Sequence, residues 1–416
     1  MVKRSIALIC LAALASGCAT QTATAPAQVT VSPVAAPLPA NVPAWQQGRA
    51  PDQAASPLAP VAGRLTATPP AEIPLQNFRL PPGFKIELWS HGTPGIRAMS
   101  RSESGKIYAG TRGIGRVYEI TDNGRERTSR VVIDKLNQPA VTWHNGSLYV
   151  AAIDKMLRFD GIDRNPAAPA QDLTARFNLP PEQHHNWKYI AFGPDGKLYV
   201  PFGAPCNICV PTDAYAQIRR YNADGSNMEV VARGVRNTQG FAWHPVTREL
   251  WFTDHGRDWM GDDSPEDELN RMPRAGLNFG FPYCHANGVV DKDVRRERAC
   301  EGVTLPVATM GPHAAAMGVT FYTGTMFPPE YRNAMFVARK GSWNRTKKFG
   351  YDVVTVTTDA NGGNARITPF VTGFLHNPAT DAFSGRPVYM LQMPDGSMLL
   401  SDEQLGAIYR ISYARP

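Results

Sequence analysis

Six copies of one short unit recur along this chain, and they constrain its fold more than any other feature of the sequence. Each unit begins with a turn and a short apolar strand, and after a gap comes a second strand that carries aromatic and arginine residues. The apolar first halves lie at 104–108, 145–150, 194–200, 247–252, 331–337 and 394–400. The second halves lie at 116–120, 155–159, 217–221, 267–272, 351–356 and 407–411.

The turns of these units indicate β-hairpins. Asn145-Gly146 and Asp195-Gly196 tolerate the positive φ that tight hairpin turns require. No comparable run of helical periodicity occurs beyond the first 75 residues. Repeats at this spacing match blades of four short strands. The sequence therefore predicts an all-β fold, a six-bladed β-propeller with four-stranded antiparallel blades.

A propeller must also close its ring. The segment 84–89, Phe-Lys-Ile-Glu-Leu-Trp, is placed to add a strand to the C-terminal blade. The wider spacing before the fifth unit predicts an insertion near 284–310, which contains Cys284 and Cys300.

The N-terminus has the features of an export signal. Lys3 and Arg4 precede an apolar run at 6–14 that is too short to span a bilayer. The run ends in Ala15-Ser16-Gly17-Cys18, which resembles a bacterial lipobox. We predict a lipoprotein signal peptide at 1–17 and lipidation of Cys18, with an ordinary cleaved signal as the alternative. Because alanine follows this cysteine, the pattern favours an exported, periplasm-facing protein anchored to the outer membrane.

Composition separates the remaining chain into two parts. Residues 18–75 are rich in Ala, Pro, Thr and Val and nearly free of charge, so we predict a disordered tether there and the propeller at 76–416. The formal net charge of +7 includes two cations in the signal peptide, and the remainder is not gathered into basic runs. This pattern argues against nucleic acid and favours a small anionic ligand.

Four cysteines remain outside the signal and the anchor: Cys206, Cys209, Cys284 and Cys300. An even number in an exported protein suggests two disulfides, and sequence proximity favours Cys206–Cys209 and Cys284–Cys300. A structural zinc site made from the four is the alternative. Covalent haem c is excluded, because Val210 stands where that attachment requires histidine.

Polar residues that could bind a ligand cluster in the segments between the repeat units. A propeller brings equivalent points of successive blades together around one axis, so we expect these clusters to meet at one mouth of the central channel. The clusters lie at 183–188, 234–240, 254–263, 313, 338–345 and 385–387.

Several motifs, in conserved order from about 80 to 415, resemble the PQQ-dependent sugar dehydrogenases of the sorbosone and glucose dehydrogenase family. They are LPPGF at 80–84, His185 followed by IAFGPDG at 190–196, GVRN at 234–237, DSPEDELN at 263–270, NFGFP at 278–282, GSWNR at 341–345 and GRP at 385–387. The resemblance implies oxidation of a sugar or aldehyde with the quinone cofactor PQQ and Ca²⁺ in the channel mouth.

The resemblance also implies roles for individual residues. His185 would be the general base that takes a proton from the substrate hydroxyl while a hydride passes to the quinone. His184 is the alternative base, and Gln138 and His184 would lie on the substrate side. Arg236 would stabilise negative charge at the reacting carbonyl.

PQQ carries three carboxylates and two quinone carbonyls, so its pocket needs cations and hydrogen-bond donors. By resemblance, the cofactor-binding residues would be Arg236, Asn237, Lys340, Arg386 and His313. The backbone carbonyls of Gly256 and Arg257 would be calcium ligands.

The chain departs from the best-studied branch of that family at His255, Lys340 and Val388. Two other functions remain open on the same architecture: a calcium-dependent lactonase, and a non-catalytic, membrane-anchored binding module. For the dehydrogenase we expect a separate electron acceptor, either a cytochrome or the quinone pool.

Overall fold

The computed structural model describes residues 43–414, together with Met1. These residues form six sheets, each built on four antiparallel strands, which are the blades of a propeller. The predicted fold class and blade number are therefore confirmed. We number the blades by the order of their innermost strands.

The strands of the first three blades follow one another without interruption. Blade 1 contains Ile96–Arg101, Ile107–Thr111, Val117–Asp122 and Arg127–Ile133. Blade 2 contains Ala140–His144, Ser147–Ala151, Met156–Asp160 and Ala170–Asp172. Blade 3 contains Ala191–Phe192, Leu198–Phe202, Gln217–Tyr221 and Glu229–Arg233.

The last three blades include the insertion and the closure of the ring. Blade 4 contains Thr238–Trp243, Leu250–Asp254, Glu266–Met272 and Ala308–Pro312. Blade 5 contains Ala316–Phe321, Met335–Arg339, Asp352–Thr357 and Arg366–Val371. Blade 6 contains Pro387–Gln392, Met398–Asp402, Ala407–Tyr413 and, as its outer strand, Phe84–Ser90.

The remaining elements are short. Two ribbons pair Cys284–His285 with Val289–Val290 and Leu375–Asn377 with Ala382–Phe383. One helical turn lies at Thr174–Phe177, and 3-10 helices lie at Ala44–Gln46, Pro51–Gln53, Pro70–Glu72, Leu75–Asn77 and Pro329–Tyr331. Within residues 43–414, no helix has the length and apolar character needed to cross a membrane.

The second strand of each blade explains why the repeat is visible in the sequence. In five blades this strand is buried at every position, and in blade 5 only Arg339 is partly exposed. Neighbouring blades cover both faces of such a strand, so an uninterrupted apolar run is stable there. The outer strand Arg127–Ile133 is instead largely exposed and carries no such signal.

Pairing between the two ends of the domain closes the ring. Phe84–Ser90 runs antiparallel to Ala407–Tyr413, with Phe84 opposite Tyr413 and Leu88 opposite Tyr409. The predicted closing strand is thus confirmed. The Phe84 ring contacts four aromatic rings at 4.8–5.2 Å, which are those of Phe327, Tyr331, Phe370 and Tyr413.

The predicted insertion and both disulfides are confirmed. The insertion separates the third and fourth strands of blade 4, and its segment Leu277–Asn278 pairs in parallel with the outer strand of blade 3. The bridges Cys206–Cys209 and Cys284–Cys300 form as sequence proximity suggests. Because all four sulfur atoms are bonded in pairs, the zinc alternative is excluded.

Part of the predicted tether lies against the propeller. Residues 43–77 contain four 3-10 helices and contact the propeller; the Thr68 backbone N–H, for example, donates to the Leu405 carbonyl at 3.2 Å. The prediction averaged composition over 18–75 and so gave little weight to the local sequence WQQGR at 45–49. The predicted signal-peptide positions 2–17 and Cys18 lie outside the described residues.

We expect Phe84→Ala to lower the free energy of unfolding by about 3 kcal/mol, because it removes an aromatic ring that joins the two ends of the domain. Denaturant unfolding measures the change. Lys85→Ala is the matched control, because its side chain is exposed on the opposite face of the same strand. Equal stability of the two variants would contradict this account of ring closure.

Candidate active site

A cavity of about 500 Å³ lies where the predicted polar clusters meet. The first strand of a blade begins at the same edge at which its antiparallel second strand ends, and residues at this edge line the cavity. It brings together the predicted residues Gln138, His184, His185, Arg236, Asn237, Gly256, His313, Lys340 and Arg386. The predicted meeting of the clusters is therefore observed, whereas their individual roles remain predictions.

His185 has a defined tautomer. Its Nδ1 lies 3.1 Å from the Ala204 carbonyl oxygen, and because that oxygen can only accept, Nδ1 carries the proton and donates. Nε2 is then left with a free electron pair. Burial lowers the pKa of His185 well below 6.5, and the neighbouring His184 and Arg236 lower it further. His185 is therefore neutral at physiological pH, the form that a general base requires.

The backbone around His185 is closely packed. His185 has a φ of +53°, which is unusual for a residue with a Cβ. A Cβ at Gly203 would lie 2.2 Å from the His185 carbonyl oxygen, so only glycine fits beside it. This arrangement fixes where the imidazole ring can lie.

His184 packs against His185, with the ring centroids 3.7 Å apart. Burial lowers its pKa to about 3, and Arg236 contributes to the shift. Its Nε2 is buried and has no hydrogen-bond partner among the described residues. Both histidines thus line the cavity as neutral rings, and the geometry leaves His184 as the alternative base.

Arg236 is held rigidly at the other side of the histidines. Its guanidinium donates to the Asn207 carbonyl (3.0 Å), the Asn207 side-chain oxygen (2.7 Å) and the Gly256 carbonyl (2.9 Å). The Asp258 carboxylate lies 3.5 Å away. Asp254 fixes the backbone, since its two carboxylate oxygens accept from the N–H groups of residues 236 and 237 at 2.6 Å each. The charge of Arg236 is therefore preorganised at the cavity wall.

A group of cations shares a single buried carboxylate, that of Glu403. Arg97 lies 2.7 Å, Lys340 3.4 Å and Arg386 3.8 Å from the Glu403 oxygens. Arg112 lines the same cavity. Burial lowers the pKa of Lys340 well below 10.5; Glu403 opposes this shift, while the other cations add to it. Because one carboxylate cannot neutralise several cations, this wall of the cavity carries surplus positive charge that would bind an anion.

Asn237 belongs to a chain of hydrogen bonds that crosses the cavity. Its side-chain N–H donates to Nδ1 of His255 at 3.2 Å, and its oxygen accepts from Gln239 at 2.6 Å. Gln239 in turn accepts from Arg97 at 3.2 Å, and Nε2 of His255 donates to the Ala316 carbonyl at 2.8 Å. One N–H of Asn237 remains for a ligand. His255 is neutral, because burial and then Lys340 lower its pKa to about 3.

Several buried polar atoms of the cavity residues have no partner within residues 43–414. They are Nε2 of His184, Oδ1 of Asn186, Nε1 of Trp187 and Nδ1 of His313. His313 uses its Nε2 to donate to the Gly261 carbonyl at 2.8 Å, so only Nδ1 is available to a ligand. Buried polar groups in native proteins nearly always have partners, so these atoms indicate that a polar molecule binds here.

The predicted calcium ligands are the backbone carbonyls of Gly256 and Arg257, and this role remains a prediction. Gly256 lines the cavity, and its carbonyl accepts from Arg236. The Arg257 side chain does not line the cavity, because its guanidinium is buried against Asp291 at 2.9 Å and Asp293 at 2.8 Å. Over the described ranges, no group of three or more His, Cys, Asp or Glu side chains is placed to hold a metal ion.

Sequence reasoning missed Arg97, Arg112, Glu403 and Trp45, which all lie at or beside the cavity. A signal for some of them exists in the repeat. The residue directly after the second strand is Arg112 in blade 1, His255 in blade 4, Lys340 in blade 5 and Glu403 in blade 6. Comparing equivalent positions of the units would have identified this set.

Comparisons with known proteins agree with the fold. The Glucose / Sorbosone dehydrogenase family model matches residues 170–342. An uncharacterised protein of Borreliella burgdorferi is 31% identical over 359 residues, which cover 83% of this chain and 93% of that relative.

Two solved structures share the architecture at low sequence identity. The calcium structure of a Trichoderma reesei enzyme of carbohydrate-active family AA12 has a TM-score of 0.68 and 18% identity, covering 81% of this chain and 97% of the other. The holo PQQ domain of pyranose dehydrogenase from Coprinopsis cinerea has a TM-score of 0.67 and 19% identity, covering 80% and 97%. These two structures show the shared fold. The family model and the relative that is 31% identical show that the chain belongs to the glucose/sorbosone dehydrogenase family.

Proposed function

We propose that this protein is a PQQ-dependent dehydrogenase that oxidises a small sugar or a related aldehyde. One observation carries the proposal: a neutral His185 with a free Nε2 shares one cavity with a surplus of buried cations. The neutral histidine is suited to proton abstraction, and the buried cations are suited to binding an anionic cofactor. Family membership supports the same reaction class.

The residues present fit PQQ. Lys340, Arg386, Arg97 and Arg112 would bind its carboxylates, because only Glu403 offsets their charge. Arg236 and the free N–H of Asn237 would bind the quinone edge. His313, through Nδ1, is the remaining predicted cofactor contact. When bound, the quinone supplies a two-electron acceptor for the substrate hydride.

His185 would take the proton of the substrate hydroxyl on Nε2. The Nδ1–H bond to Ala204 holds the ring in orientation and stabilises the positive charge that the ring then gains. The fixed charge of Arg236 would stabilise negative charge that develops nearby. Gln138 and His184 line the same cavity and are the proposed substrate contacts.

Calcium is also part of the proposal. The Gly256 carbonyl and the Asp258 carboxylate offer oxygen donors, but Ca²⁺ takes six to eight ligands. Both groups also face the Arg236 guanidinium, at 2.9 and 3.5 Å. Metal and guanidinium would compete for these oxygens, so calcium would have to displace Arg236 or rely on other ligands.

The two alternatives differ in what they require. A calcium-dependent lactonase needs a cluster of carboxylate ligands, whereas the charged residues that line this cavity are five arginines or lysines and two aspartates. A non-catalytic binding module would bind no PQQ.

We further propose, from the sequence alone, an outer-membrane lipoprotein anchored through Cys18 that passes electrons to a separate acceptor, a cytochrome or the quinone pool.

We expect Lys340→Met to weaken PQQ binding about 30-fold or more, because it removes a charged donor from a buried anion site. Titration of the purified protein with PQQ, followed by the cofactor's absorbance, measures the affinity. Arg274→Gln removes an exposed cation outside the cavity and should leave the affinity unchanged. If the wild-type protein bound no PQQ, the non-catalytic alternative would be favoured.

The same titration tests calcium. If the metal contributes, a chelator lowers the affinity for PQQ and added Ca²⁺ restores it. An affinity that does not respond to either would show that PQQ binds without a contribution from the metal.

We expect His185→Ala to lower kcat by roughly 10²–10⁴-fold while PQQ binding is spared, because the variant loses the base but none of the cations. Dye reduction with a panel of aldoses measures turnover. His184→Ala is the comparison variant: it removes a proposed substrate contact and keeps the base, so it should raise KM more than it lowers kcat. Full activity in His185→Ala would place the base elsewhere, first at His184.

The pH profile provides an independent check on the state of His185. Its pKa is lowered below 6.5, so the base form is already present at neutral pH. Between pH 8 and 6.5 we expect kcat/KM to show no acid limb from this residue, and activity to fall only at lower pH. An acid limb near pH 7 that disappears in His185→Ala would contradict the neutral assignment.

A further inference from the structure

The described N-terminal residues 43–68, here named the strap, cross the cavity. We propose that the strap is part of the substrate site and that Trp45 restricts this site to short saccharides. This inference rests on the proposed dehydrogenase function.

The first attachment lies on blades 3 and 4. The Asn207 backbone and side-chain N–H groups donate to the Gln47 side-chain and backbone oxygens at 3.1 and 2.6 Å. The Arg257 guanidinium donates to the Gly48 carbonyl at 3.4 Å. Asn207 also holds the Arg236 guanidinium, so one buried amide connects the strap with the cavity wall.

The second attachment lies on blades 1 and 6. The Thr68 backbone N–H donates to the carbonyl of Leu405, which follows the second strand of blade 6. Leu65 lies beside Gly113 of blade 1. Because the two attachments belong to different sides of the ring, the chain between them has to pass over the cavity. Ala59, Pro60 and Val61 line the cavity accordingly.

Trp45 completes an aromatic wall. Its ring is 5.6 Å from that of Trp343, edge to face, and 6.5 Å from that of Trp259. Trp259 donates from its indole N–H to the Trp45 carbonyl at 2.6 Å, and the Arg49 guanidinium lies 4.6 Å above the Trp259 ring. Trp45 and Trp343 both line the cavity. Flat apolar rings suit the C–H face of a sugar ring, while the cations lie deeper and suit an anion.

The strap therefore limits what can reach His185. A monosaccharide needs only the space beneath the strap, whereas a longer saccharide with its reducing end at His185 would collide with residues 59–61. The strap has few buried side chains of its own, so its local opening costs little free energy and substrate can enter. Trp45 holds the closed arrangement through its contacts with the other two tryptophans.

The docking of the strap can be tested without turnover. Trypsin cleavage after Arg49, followed by mass spectrometry, requires the strap to leave the surface. We expect Trp45→Ala to speed this cleavage about tenfold, because it removes the aromatic contacts that hold the strap. Trp45→Phe should behave nearly as wild type, as should Asp52→Ala, whose side chain is exposed on the strap. Equal cleavage rates in wild type and Trp45→Ala would overturn the docking.

The effect on specificity is tested with glucose, maltose and maltotriose, which share one reducing sugar. We expect kcat/KM to fall with chain length in the wild type, and the maltotriose-to-glucose ratio to rise about tenfold in Trp45→Ala. An unchanged ratio would overturn the inference. If no variant oxidises any aldose, the proposed function fails, and slow cleavage after Arg49 in the wild type alone would still show the strap docked.

Discussion

The site depends on one buried carboxylate that cannot neutralise the cations around it. Glu403 lies within 4 Å of Arg97, Lys340 and Arg386, and all three side chains are nearly inaccessible to solvent. Buried charge without a partner is unfavourable. The propeller tolerates the surplus because each cation is fixed at the end of a buried strand, and a bound anion would supply the missing charge. The rigid blades therefore hold the cations in fixed positions around the cavity.

Asn207 connects three features that are distant in sequence. It lies inside the Cys206–Cys209 loop, donates to Gln47 of the strap and accepts from Arg236 and from the backbone N–H of Asp258. A four-residue loop closed by a disulfide has little conformational freedom, so the amide is held ready for all of these contacts. The small disulfide thus serves to position the site rather than to connect distant parts of the fold.

The sequence predicted the fold well because the decisive signal is local. Second strands such as Leu198–Phe202 are covered on both faces and read as apolar runs, whereas the closing strand at Phe84 begins with exposed residues alternating with partly buried ones. Residues of the site could be predicted only where a recognisable motif surrounds them, as one surrounds Lys340. Glu403 and Arg112 occupy equivalent positions, but their meeting depends on the register of separate blades. Trp45 was missed because its neighbours are mostly small and apolar, and only the folded chain brings it to the cavity.

The closure of blade 6 has a consequence for the order of maturation. Its outer strand, Phe84–Ser90, is made before the other strands of the propeller, but its partner Ala407–Tyr413 is made after all of them. The blade that supplies Arg386 and Glu403 can therefore assemble only after all six blades have been synthesised. A chain that ends before this strand lacks both the closure of the ring and one wall of the cavity, so a ligand of the cavity could bind only to the closed ring.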